Sequence, residues 1–163
     1  MNSYEIGEYK YTIIMKLIND DEVRNLLDPE GYCDYPDDLV YRNVFPFTRI
    51  PDTEQEVKAY ITVAVSVPQI DARNAYIRNM RIVMRIYSHA DIMKVTGQKS
   101  NRIDLLSAAV DRVINESMDI GIGYVKLVSN TEHVLDSSHH YRELVFKTDD
   151  INAKRYGAKQ WSQ

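Results

Sequence analysis

The sequence predicts an α+β fold: a mostly antiparallel four-stranded sheet with a long β-hairpin, two helices packed on one face, and an extended arm rich in proline and aromatic residues. Three observations predict it. Apolar and polar residues alternate through residues 57–67 and again through 76–88. Apolar residues recur at helical spacing in residues 9–27 and 101–118. Between the first helix and the first long strand, residues 28–56 hold four of the chain's five prolines.

The first helix, residues 9–27, carries Ile13, Ile14, Leu17 and Ile18 on one face. Asn19, Asp20 and Asp21 can break it and cap a short continuation bearing Val23, Leu26 and Leu27, because an Asx side chain accepts from orphan amides. Asp28-Pro29 ends it, since a residue before proline disfavours the helical region. The arm that follows combines Pro29, Pro36, Pro46 and Pro51 with Tyr32, Tyr35, Tyr41, Phe45 and Phe47. Proline removes ladder donors, so the arm is expected to be neither helix nor central strand. Its aromatic content argues for order, packed either on its own domain or on a neighbouring subunit.

In residues 57–67 the odd positions Val57, Ala59, Ile61, Val63, Val65 and Val67 share one face. Residues 68–74 supply a turn. In 76–88, Met80, Ile82, Met84 and Ile86 point one way, and Asn79, Arg81, Val83, Arg85 and Tyr87 the other. The two stretches form a hairpin with one face packed and one wet. A second helix over 101–118 aligns Ile103, Leu106, Val110, Val113 and Ile114, with Gly121 and Gly123 ending it. Strands at 124–129 and 141–148 follow, joined by a loop over 130–140. Residues 152–163, with Tyr156 and Trp161, show no periodicity and form a tail expected to be loose unless a partner orders it.

The chain has 163 residues, enough for one domain with its own core. The core is expected at about 9–27 and 57–151, with the arm at 28–56 and the tail at 152–163 as excursions. At 44% apolar and 27% charged, disordered, collagen-like and disulfide-scaffold classes are excluded. The single cysteine, Cys33, permits no internal disulfide and suits a reducing compartment. The first thirty residues lack the basic start and apolar run of a secretory signal. The longest apolar stretch, 59–67, is too short to span a bilayer, so no membrane partner is expected.

A net charge of −4 argues against a dedicated nucleic-acid binder. That figure averages three different segments. Residues 1–38 carry 3 basic and 10 acidic groups, residues 39–100 carry 9 and 5, and residues 101–163 carry 8 and 9. Head-to-tail assembly would bring an acidic surface of one copy near a basic surface of the next; the alternative is that the acidic residues are solvated faces.

Catalytic signatures are missing. Gly121-Ile122-Gly123 follows a helix instead of opening one, and so is no dinucleotide fingerprint. His133, His139 and His140 cluster around Asp136, but adjacent His139 and His140 on a strand face opposite sides, and the spacing matches no closed zinc site. Cys33 has no partner in sequence that would make it a nucleophile. Neither metal nor cofactor is therefore expected. Arg81 and Arg85 form a basic row on the wet side of the hairpin, either salt-bridged to a neighbouring strand or facing an acidic partner or passing nucleic acid. The arm residues Tyr35, Phe45, Phe47 and Ile50, with Tyr156 and Trp161 of the tail, are the candidates for a subunit or partner interface.

The order of elements, with a helix like Arg102-Ile103-Asp104-Leu105-Leu106 and a closing strand like Tyr141-Arg142-Glu143-Leu144-Val145-Phe146 before Asp149-Asp150, resembles the tail terminator (tail completion) proteins of tailed bacteriophages. The resemblance spans about residues 9–152 and is one of layout, without a short diagnostic motif. It implies a virion protein of the head–tail neck, assembled in the host cytoplasm as a homo-oligomer, a hexameric ring. Such a ring caps the tail tube, meets the head-side connector or stopper protein, and lets DNA pass with non-specific contact, without catalysis or cofactor. The aromatic arm and the tail bearing Trp161 depart from the family's pattern and leave open another neck or head–tail joining component. Two readings of other classes stand beside it: a small metal- or ligand-binding α+β enzyme with its site in the 130–140 turn, and a standalone DNA-binding accessory protein.

Overall fold

The computed structural model describes residues 5–50, 57–70 and 73–151. Helix α1 (Glu5–Ile18) buries Ile13, Ile14, Leu17 and Ile18, as its apolar spacing requires. The chain breaks at Asn19, whose side-chain amide donates to the Met15 carbonyl at 2.7 Å. Asp20 then caps helix α2 (Asp21–Leu27) by accepting from the Val23 N–H at 3.1 Å. Arg112 donates to the same carboxylate at 2.9 Å, and this hydrogen bond, first among several causes, holds Asp20 below the usual carboxylate range.

The described part of the arm, residues 28–50, is ordered on its own domain. Burial works against the charge of Asp28, but hydrogen bonds from Cys33 N–H (2.7 Å) and Tyr32 N–H (3.1 Å) outweigh it and keep its carboxyl low. One turn of 3-10 helix (Pro36–Leu39) places Leu39 in the core. The buried Asn43 amide donates to the carbonyls of Leu27 (3.1 Å) and Ala59 (2.8 Å), stitching the arm to α2 and to the sheet.

The arm also holds a strand, which corrects the expected four-stranded antiparallel sheet. Strand β1 (Val44–Phe45) pairs in parallel with β2 (Ala59–Ile70), so with β3 (Ile77–His89), β4 (Ile122–Val134) and β5 (His139–Ile151) the described residues form a mixed five-stranded sheet in the order β1-β2-β3-β5-β4. A two-residue strand between Pro36 and Pro46 is too short for alternation to show, and at the sheet edge the missing proline donor costs no ladder bond.

Strands β2 and β3 (Ile77–His89) form the expected hairpin, and β4 (Ile122–Val134) and β5 (His139–Ile151) form a second. The hairpins join through β3 and β5, which pair antiparallel from Ile77↔Ile151 to His89↔His139. The expected 130–140 loop is thus mostly strand, with the turn confined to 135–138. β4 is an edge strand exposed on both sides for much of its length, so its sequence lacks the apolar alternation that marks a half-buried strand.

Helix α3 (Arg102–Ile114) starts on Asn101, which accepts from Asp104 N–H at 2.9 Å. It ends four residues before the expected Met118, because Asn115 turns extended and Glu116 takes φ +64°; the Asn115 side-chain amide oxygen Oδ1 then accepts from Leu127 N–H at 2.9 Å. The buried Arg102 fastens the start of α3 by donating to the carbonyls of Leu26 and Ile92. Gly121 (φ +75°) is, among the described residues, the position where packing demands glycine, since a Cβ there would lie 2.5 Å from the Asp149 carbonyl oxygen.

The three helices lie on one face of the sheet. Beneath them Met80, Ile82, Met84, Ile86, Leu144 and Phe146 are all 0% exposed. Among the described residues no helix is long and apolar enough to cross a membrane.

Candidate interaction surfaces

Among the described residues no helix covers the other face of the sheet, and its residues alternate with the core positions: Asn79, Arg81, Val83, Arg85 and Tyr87 on β3, Tyr141, Glu143, Val145, Lys147 and Asp149 on β5. At one end a row of rings crosses all five strands. Phe45 meets Tyr60 edge-on at 5.8 Å; Tyr60, Tyr87, Tyr141 and His133 then stack at 4.9 Å from ring to ring. The Arg49 guanidinium lies over the Phe45 ring at 4.6 Å, and Leu135 packs on the same cluster. Phe45, Tyr60 and Tyr87 are buried by these neighbours, and burial pushes the Tyr87 hydroxyl above its ordinary value.

Arg85 lies next along the face and donates to Glu143 across the β3–β5 ladder at 2.8 Å. Partial burial opposes its charge, but the Glu143 bond prevails and holds the guanidinium more firmly protonated. Arg81 lies two positions on, exposed and without an ion-pair partner among the described residues. The predicted row therefore has the expected geometry, while its two members differ: Arg85 is tied down within the sheet and Arg81 is open. Beyond Arg81 the face hollows into a shallow groove of about 560 Å³ lined by Pro68, Val128, Val145, Arg81 and Lys147. Lys147 and Lys126, both exposed, continue from Arg81 in register across β5 and β4. The sequence reading missed these two lysines because cross-strand neighbours on β4 and β5 are visible only once the strand order is known.

The arm residues separate in the same way. Tyr35 (71% exposed), Ile50 (69%) and Phe47 (45%) present apolar surface to solvent. Phe45, grouped with them from sequence, is 4% exposed and belongs to the ring row of its own chain, which corrects its assignment to a partner surface. Tyr156 and Trp161 lie outside the described residues.

The histidine turn has a structural arrangement. His139 is buried, its Nδ1 3.3 Å from Asp136 Oδ1 and its ring edge-on to His89 at 5.0 Å, while His133 stacks on Tyr141. The Asp136 carboxyl is held low, foremost by the Ser138 N–H. Among the described residues no group of three or more His, Cys, Asp or Glu side chains is placed to hold a metal ion. Burial and then Asp28 push the Cys33 thiol up, away from the reactive thiolate.

No curated protein matches the chain. Among solved structures, a chain of "Virion of native gene transfer agent (GTA) particle" superposes with a TM-score of 0.58 at 13% identity, covering 91% of this chain and 99% of that one. That likeness is one of fold. The family model YomW matches residues 12–148, which takes in every described helix and strand in whole or in part, and the chain belongs to the YomW family.

Proposed function

We propose that the protein is a structural virion component of a phage-like particle, acting as a tail terminator: a ring, hexameric by the family resemblance, that caps the tail tube and joins it to the head-side connector while DNA passes through its lumen. The observation that carries the reading is the fold shared with a chain of a gene transfer agent virion over nearly the full length of both chains. Membership of the YomW family and the resemblance of layout to tail terminators are consistent with it. The physical character of the molecule supports the same reading. Among the described residues its concavities are shallow, Arg85 is paired within the sheet by Glu143, and most of its exposed large apolar residues lie on the arm and along the edge strand β4. Such a chain suits heterologous, ring-closing contacts in which different surfaces of each copy meet. In this role it needs no cofactor and performs no catalysis.

The test is to remove the gene from the genome that encodes the particle and to examine the particles by electron microscopy. The reading expects unjoined heads and tails, rescued by the gene in trans with an epitope tag that labels the joint. Normally joined, infectious particles without the gene would overturn it.

A further inference from the structure

We infer that the groove on the open sheet face is the socket for a second copy of this chain, and that the segment it receives is the acidic turn around Tyr35. This rests on the ring reading above and names the surfaces that would build it.

The socket is defined by an electrostatic anomaly. Arg81, Lys147 and Lys126 sit side by side in ladder register on β3, β5 and β4, all three on the open face. Like charges directly opposite one another on a sheet destabilise it, and natural sheets normally place an acid between them, as Glu143 does for Arg85. Here, among the described residues, none of the three cations has an ion-pair or hydrogen-bond partner, and the nearest acid along β5 is Asp149, two residues from Lys147. The groove beside them has an apolar floor of Pro68, Val128 and Val145, with Val128 52% exposed at a β-bulge. Asn79, Ser129 and Asp149 share its rim with Arg81 and Lys147, so two cations face one acid, and this positive excess over an apolar floor fits an aromatic ring flanked by carboxylates.

The chain carries such a segment. Residues 28–38 hold five acidic groups and no basic one. Within them Asp34, Asp37 and Asp38 are exposed around Tyr35, which is 71% exposed at the start of the 3-10 turn. Asp38 accepts from Tyr35 N–H at 3.0 Å, so the turn is shaped before it binds. One molecule cannot fill its own socket. The turn is anchored through Leu39 to the core on the helix side, whereas the socket faces away from that core. Contact between different surfaces of successive copies is the heterologous geometry that generates rings. A phosphate backbone is the competing occupant, but phosphates gain nothing from a Pro-Val-Val floor, and the chain's net charge is −4.

Two experiments on the full chain test the inference. In the first, p-benzoyl-phenylalanine replaces Tyr35, and cross-linked peptides are mapped by mass spectrometry after mixing isotopically distinct copies. Intermolecular cross-links to the peptides bearing Val128, Val145 or Lys147 are expected; cross-links elsewhere, or none, would overturn the proposal. In the second, sedimentation velocity compares the wild type with Arg81→Glu/Lys147→Glu, Asp34→Lys/Asp37→Lys and the chain carrying all four changes. Circular dichroism confirms that each folds. Each pair should weaken self-association about tenfold or more, and the four changes together should restore it. A wild type that assembles with the pairs unaffected sinks this inference and leaves the ring standing. A wild type that stays monomeric at every concentration and ionic strength, both alone and with the particle's tail-tube protein, sinks both. Protection of Lys126 and Lys147 from acylation by duplex DNA, with no effect of self-association, would assign the face to nucleic acid instead.

Discussion

The two faces of the sheet are made by the same strands and differ in almost every other respect. Under the helices, Met80, Ile82, Met84, Leu144 and Phe146 are sealed from solvent. On the open side their alternate neighbours are, among the described residues, a ring row, the Arg85–Glu143 ion pair and a set of unneutralised cations. The covered face accounts for why the chain folds. The open face contains groups that folding alone does not explain, and it is there that a partner should be sought.

That contrast can be broken or sharpened by substitution. The largest effect is expected beneath the helices: Phe146→Ala should cost about 3–5 kcal/mol in denaturant unfolding, because the cavity cannot collapse under three helices. On the open face, Tyr87→Leu keeps apolar volume but interrupts the stack between Tyr60 and Tyr141, and should cost about 1–3 kcal/mol by the same assay. Asp28→Ala removes the acceptor for Tyr32 and Cys33 N–H, with an expected loss of about 1–2 kcal/mol and faster proteolytic nicking at 29–35. Arg81→Ala should change stability by no more than about 0.5 kcal/mol while altering association, since nothing within the described fold depends on it.

The pH dependence also divides the molecule. Asp20, Asp28 and Asp136 have carboxyls held below their ordinary value, so their contribution is fully present above about pH 4 and is lost as pH falls through the lowered values. Tyr87, raised by burial on the open face, works in the other direction: its contribution is complete below about pH 10 and disappears as pH climbs through the raised value. Thermal melts across both ranges should lose stability at each end, and Tyr87→Phe should remove part of the alkaline loss only.

Much of this architecture was legible in the residues. The β2–β3 alternation was readable because one face is buried, which imposes a period of two. The break at Asn19-Asp20 was readable because the cap is local chemistry. β1 was not readable, being two residues held by tertiary pairing with Ile61 and Thr62. Nor was the length of β4, whose exposure removes the selective pressure for alternation. At the candidate surface, the Arg81/Arg85 geometry followed from strand periodicity. The pairing of Arg85 with Glu143, the burial of Phe45 and the alignment of Lys147 and Lys126 depended on which strands became neighbours, information that is non-local in the chain.

The central claim is that this chain builds a closed ring, and native mass spectrometry at low ionic strength, alone and with the particle's tail-tube protein, tests it most directly. The account predicts a discrete cyclic oligomer, six copies by the family resemblance, in at least one of the two samples. Monomer alone in both would contradict it.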